Sequence, residues 1–225
     1  MNDLIDETTA EGENEDDSRF LVPRQQMVAE QIRNRGISDQ RVLDAMLRLP
    51  RHKFVPLNYQ EQAYEDHPIP ISEGQTISQP YIVASMLEAL ALQSTDKVLE
   101  VGTGSGYVTA LLAELVARVF SIERHVALAE SARERIAKLG YRNVEIVVGD
   151  GSRGLTQHQP FDAIIVSAAA LQLPTALLSQ LSDGGRIVIP VGSPDKQQMQ
   201  LIRLQNGQPQ ISLREPCRFV PLIAD

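Results

Sequence analysis

Along this 225-residue chain the spacing of apolar positions changes character from one region to the next. Residues 1–18 mix acids with Thr, Asn, Gly and Ser and offer almost nothing to bury, which predicts a disordered tail. From Phe20 to about Leu49 the apolar period is helical. Met27, Val28 and Ile32 make one stripe that Gly36 stops, and Ser38 is placed to cap a second helix carrying Val42, Leu43, Met46 and Leu47. RLPRHKFVP then breaks the helix at Pro50 and Pro56. Up to Pro80 the run of Pro, Gly, Ser and Gln predicts a long ordered loop or a pair of short ribbons, and such loops inside a domain are usually functional. The stretch YIVASMLEALAL reads as a helix, with Met86 and Leu87 at core spacing.

From Lys97 strands and helices alternate strictly. KVLEV, RVFSI, NVEIVV, FDAIIVSAA and GRIVIPVG read as short buried strands; TALLAELVA, ALAESARERIAKLG (closed by Gly140) and PTALLSQLSDGG read as helices. Unbroken Val/Ile/Leu strands separated by helices predict a parallel sheet covered on both faces. MQLIRL, the turn QNG and PQISLREPCRFVPL predict an antiparallel finish. The fold class is therefore α/β: a Rossmann-like, doubly wound, mostly parallel sheet with an antiparallel C-terminal strand, plus an N-terminal helical segment. One domain is expected over residues 19–225, with residues 19–80 supplying helices and a site loop and residues 81–225 the α/β core.

Charge sharpens this division. The formal net charge is −8, and eight acids with no base lie within residues 1–18, so from Arg19 onward acids and bases balance. A balanced body lacks the electrostatic footprint of a nucleic-acid binder. The single cysteine, Cys217, excludes a disulfide framework and cysteine-only zinc sites and points to a reducing, cytoplasmic setting. No apolar run approaches the roughly 20 residues of a membrane span, and an acidic N-terminus is unlike a secretory signal. The four histidines, His52, His67, His125 and His158, show no metal-ligand spacing and read as core or surface residues, so no metal is expected.

The candidate chemistry begins where KVLEV runs into Gly102-Thr103-Gly104-Ser105-Gly106 and a helix. Glycine lets backbone N–H groups approach a ligand closely. A dinucleotide fingerprint would need a third glycine where Tyr107 stands, which opposes a nicotinamide-linked dehydrogenase. The next strand ends in Glu123, an acid positioned to accept hydrogen bonds from two ribose hydroxyls, and the third ends in Gly149-Asp150-Gly151. Three such features at neighbouring strand ends predict a nucleoside ligand without an extended phosphate. Ser78 before Pro80 also fits an ordinary loop or cap serine, and no motif supports a Ser-His-Asp arrangement around it.

LEVGTGSGY, Glu123 and GDG at 149–151 resemble the nucleoside-binding motifs of class I S-adenosylmethionine methyltransferases. GQTISQPYIVASM at 74–86 is similar to the signature of protein-L-isoaspartate O-methyltransferases, and MVAEQIRNRGISDQRVLDAM, PRHKFVP, AYEDHPIPI, PFDAIIVSAA, LSDGGRIVIPVG and CRFVPL support it across residues 20–223. The chain departs from the family pattern in having no Trp after GDG, Ser167 in place of a common Thr, and Ala-Leu-Gln following the SAA segment.

The resemblance implies methyl transfer from S-adenosyl-L-methionine to the carboxylate of L-isoaspartyl, and less efficiently D-aspartyl, residues in damaged peptides and proteins. It implies Ser78 as the residue that orients the acceptor. Thr76, Ile77, Glu100, Gly102, Thr103, Gly104, Ser105, Gly106, Glu123, Asp150 and Gly151 would hold the cofactor; Ser78, Gln79, Arg218, Phe219, Val220 and Pro221, the last four in a C-terminal strand, would hold the peptide. Neither nucleic acid nor membrane is an expected partner, and a monomer is expected. The alternatives are a methyltransferase for another carboxylate and a cofactor-binding module without turnover.

Overall fold

In the computed structural model, which describes residues 18–224, the expected N-terminal stripe is buried. Leu21–Gln26 (α1) runs into a π-helical turn, Met27–Ile32, and a 3₁₀ turn, Arg33–Arg35, that ends at Gly36. The predicted tail lies outside the described residues except for Ser18, which is helical. The second helix, Gln40–Arg48 (α2), is capped by Asp39, not by Ser38. The Asp39 carboxylate accepts from the Arg41 and Val42 N–H groups, whereas Ser38 is drawn aside: its N–H and hydroxyl both donate to Glu88. A tertiary contact thus moves the cap one residue along.

The loop before Pro80 contains 3₁₀ turns and a minimal antiparallel ribbon, Ile69–Pro70 (β1) with Thr76–Ile77 (β2). Helix α3 spans Pro80–Leu90, with Pro80 in its first turn, where its missing N–H costs nothing. Then come β3 (Lys97–Val101), α4 (Tyr107–Leu115), β4 (Arg118–Glu123), α5 (Val126–Lys138), β5 (Val144–Val148) and β6 (Phe161–Val166). The chain finishes with a short α6 (Thr175–Leu178), β7 (Leu181–Ser193), β8 (Lys196–Gln205) and β9 (Gln208–Cys217). The main sheet has the order β5-β4-β3-β6-β7-β8-β9, parallel through β7 and antiparallel from β7 to β9.

Strand parity separates two cores. Val98, Val119, Ala163, Ile165 and Val188 face a cluster that also contains Met27, Ile32, Leu43 and Met46 from the N-terminal helices and residues of α3, α4 and α5. Leu99, Val101, Ile122, Ile164, Val166 and Ile187 face the opposite cluster with Leu155 and Leu177. Burial at this scale is the main driving force for the fold, at about 25 cal/mol for each Å² of apolar surface covered.

Two expectations change. The helix expected over PTALLSQLSDGG is only four residues long, because Gln180 accepts from the Phe161 N–H and the chain enters β7 already at Leu181. The C-terminal strand expected over Arg218–Leu222 is not part of the sheet: β9 stops at Cys217, and a single parallel bridge, Ala169 to Pro221, anchors residues 218–222. Instead of the ladder, the Gln197 side chain grips Phe219 at both backbone groups, at 3.0 and 2.7 Å. No helix of the described residues is long and apolar enough to cross a membrane.

Candidate active site

From β3 the chain winds outward through β4 and β5, then returns to place β6 and β7 on the other side of β3. Open α/β sheets bind ligands in the crevice at the carboxyl ends of strands where the winding reverses. A cavity of about 810 Å³, including its open mouth, lies there. Its floor is Val101 and Gly102 at the end of β3, Ile122 and Glu123 at the end of β4, Gly151 after β5, and Ser167 and Ala168 after β6. Two segments outside the parallel strands close it: Gln75 to Ser78, and Val220 to Ile223.

The glycine loop shapes one wall. Gly102, Gly104 and Gly106 take φ values of 92, 54 and 85°, a left-handed path that other residues resist. A Cβ on Gly106 would also stand 3.3 Å from Ala132 in α5. At Gly151 the demand is steric: a Cβ would lie 2.5 Å from Val101 Cγ1, so only glycine lets this turn pack so closely on the end of β3. Glu123, at the tip of β4, accepts from the Gly104 N–H (2.9 Å) with Oε2 and from the His125 N–H (3.0 Å) with Oε1. Each carboxylate oxygen can accept more than one hydrogen bond, so both retain capacity toward a diol in the cavity.

Glu100 lies beneath this loop. It is fully buried, and its Oε2 accepts from the Thr109 and Ser121 hydroxyls, both at 2.5 Å, while Ser121 also bonds Thr103 at 2.5 Å. Burial pushes the Glu100 carboxyl up to about 8, against the pull of those two hydroxyls. It supports the loop from behind and does not line the cavity.

Of the residues expected to bind, Thr76, Ile77, Ser78, Gly102, Thr103, Gly104, Ser105, Glu123, Gly151, Val220 and Pro221 meet around this one cavity. Gly106, Gln79, Arg218, Phe219 and Asp150 are not among its lining. Asp150 turns back on its own 3₁₀ turn, where it accepts from the Ser152 N–H (2.9 Å) and hydroxyl (2.7 Å) and pairs with Arg153. Gln79 donates to the Asp66 carbonyl. Arg218 and Phe219 precede the lining part of their segment.

The lining also includes Gln75, Arg124 and Ile223, which the sequence did not single out, and His125, which reads from the sequence as a core or surface residue. Arg124 Nη1 donates to the Ile223 carbonyl (3.0 Å), tying the end of β4 to the C-terminal segment. His125 Nδ1 lies 3.6 Å from the Glu73 carboxylate. Their closeness to Glu123 in sequence was the one available signal. Ser167 and Tyr107, noted only as departures from two patterns, are both walls of the cavity.

Comparison with known proteins agrees with this architecture. Residues 23–225 match the family model described as Protein-L-isoaspartate(D-aspartate) O-methyltransferase (PCMT). A protein-L-isoaspartate O-methyltransferase of Koribacter versatilis (strain Ellin345) is 54% identical over 206 residues, covering 92% of this chain and 93% of that protein. One from Methanoculleus marisnigri is 53% identical over 201 residues, covering 89% and 91%. A crystal structure from Plasmodium falciparum, described as a protein-L-isoaspartate O-methyltransferase in complex with S-adenosyl-L-homocysteine, superposes with a TM-score of 0.78 at 29% identity, covering 89% of this chain and 98% of that one. Sheet order, cavity and relatives converge, and the chain belongs to the protein-L-isoaspartate(D-aspartate) O-methyltransferase family.

Proposed function

We propose that this protein transfers a methyl group from S-adenosylmethionine to the free carboxylate of L-isoaspartyl residues, and less efficiently of D-aspartyl residues, in damaged peptides and proteins. The resulting ester opens a repair route through the succinimide. One observation carries this reading: the Ser78 loop and the glycine loop with Glu123 face each other across a single cavity.

The residues present fit a nucleoside thioether. The spare acceptor capacity of Glu123 beside the glycine loop, in a crevice at the carboxyl ends of the strands, suits an adenosine bearing a short amino-acid arm. Glu123 would hold the ribose hydroxyls, and the backbone of Gly102 to Ser105 the amino-acid arm. S-adenosylmethionine held there would supply an electrophilic methyl on a sulfonium, whose loss to the acceptor oxygen would leave a neutral thioether.

The acceptor carboxylate is already ionised near pH 7, so no general base is needed and no proton moves. The chain's remaining task is alignment and exclusion of water. The Ser78 hydroxyl donates to one acceptor oxygen and so aims the other at the methyl carbon. Ile77, Val220 and Leu222 bring apolar surface around that point. Backbone contacts along Arg218 to Pro221 would hold the peptide with little regard for its sequence, as a repair enzyme requires.

The test is methyl transfer from labelled cofactor to an L-isoaspartyl peptide beside its normal aspartyl twin. A base-labile ester on the isoaspartyl peptide alone is expected; equal labelling, or none, refutes the assignment. In Ser78→Ala, kcat should fall roughly ten- to a hundredfold with S-adenosylhomocysteine affinity retained. Equal loss of both would remove the orienting role.

A further inference from the structure

The motif PRHKFVP forms no part of the cavity wall, yet it carries Arg51, one of the largest fully buried side chains in the protein. Burying a guanidinium is strongly unfavourable unless dipoles or an anion offset it, and the group stays charged. Arg51 Nε donates to the Ala63 carbonyl (2.7 Å) and Nη2 to the Ser78 carbonyl (2.9 Å). Its Cζ lies 4.8 Å from the centre of the Tyr107 ring. Among the described residues Nη1 has no hydrogen-bond partner and no carboxylate forms an ion pair with Arg51. One buried cation therefore joins two walls of the cavity: Tyr107, which opens α4 behind the glycine loop, and Ser78, in the acceptor loop.

We propose that Arg51 is the positioning residue of the acceptor side: its fork fixes the Ser78 peptide against Tyr107, and its charge, paired with no carboxylate among the described residues, gives that end of the cavity an affinity for the acceptor carboxylate. The inference rests on the methyl-transfer reading of the site. Ser78 is held from both directions, by Arg51 at its own carbonyl and by Pro80 two residues on, which opens α3, so the position of its peptide is set by the fold. The carbonyls of Ala63 and Ser78 are met by separate arms of a planar group, which a lysine ammonium cannot reproduce. The guanidinium also stands within roughly 7 Å of the Ser78 hydroxyl by the covalent reach of one residue, which is inside a Debye length at ordinary ionic strength.

These two roles separate kinetically. Negative charge on the acceptor is consumed as its oxygen takes the methyl, so the charge of Arg51 favours the bound carboxylate more than the transition state and acts on peptide KM. The fixed geometry acts on kcat. In Arg51→Lys, kcat should fall at least about tenfold with peptide KM within about threefold of the parent; in Arg51→Met, kcat should fall as far and peptide KM should rise about tenfold or more. S-adenosylhomocysteine affinity, measured by calorimetry, should stay within about threefold in both.

An unchanged kcat in Arg51→Lys overturns the proposal. So does cofactor affinity falling in step with kcat, or lost altogether in Arg51→Lys, because Arg51 would then serve only the fold. Should Arg51→Met not fold, the Arg51→Lys split between kcat and KM decides. Failure of the parent enzyme to methylate the isoaspartyl peptide, with cofactor still bound, would instead refute the underlying reading.

Discussion

Glu100 shows how much one side chain's meaning depends on what surrounds it. By motif it belongs with the cofactor residues; in the fold it is a buried carboxyl under the glycine loop, held by Thr109 and Ser121 and raised by burial to about 8 from an ordinary 4.5. Between those values the folded protein binds more protons at this group than the unfolded chain does. The contribution of Glu100 to stability is therefore greatest below about 4.5 and declines as pH rises toward about 8, by at most about 1.4 kcal/mol per pH unit. Glu100→Gln, which cannot ionise, should flatten that slope, as seen by urea unfolding at pH 5 and pH 8; parallel slopes in the two proteins would show that Glu100 is ionised in the fold. Strand parity held the clue to its orientation, since Glu100 alternates with Leu99 and Val101 and points with Val98 toward α4. The hydroxyls awaiting it come from residues 9 and 21 positions away, a pairing the motif does not express.

Among elements, the C-terminal segment differs most from expectation. CRFVPL has strand-forming residues, but Pro221 lacks an N–H and the ladder ends at Cys217, so the segment leaves the sheet and crosses the cavity. Its course depends on Gln197, whose buried amide bonds both backbone groups of Phe219, and on Arg124. Gln197→Ala should release this strap and raise peptide KM about fivefold or more with kcat less affected, because a loosened binding segment costs ordering entropy on association. An unchanged KM would show that the strap is held without Gln197. The parallel strands and helices α2 to α5 were legible because their own residues carry the period and the stop signals. The 3₁₀ turns before Pro80 and the short α6 were not, since contacts with distant backbone, such as Phe161 with Gln180, decide where they end.

For the whole molecule, the acidity of the chain and the chemistry of the site are separate matters. The net charge of −8 equals the charge of the eight acids that precede Ser18, and the body that forms the cavity is balanced. Removing residues 1–17 should leave kcat/KM for an isoaspartyl peptide within about twofold of the full chain, because the family match begins at residue 23 and none of the cavity's lining residues precedes Gln75. A larger loss would make the acidic stretch part of the catalytic unit. Hydrophobic period, glycine spacing and acids at strand ends determined by themselves the order of elements, the parallel class of the sheet and the glycine-loop half of the site. All are local, written within a few residues of where they act. Tertiary structure alone decided that Ser78, Tyr107 and Val220 share one cavity and that Arg51 is buried behind two of them with no carboxylate paired to it among the described residues. Those relations join residues from distant parts of the chain, and they exist only once packing of the two cores has closed the loops between them.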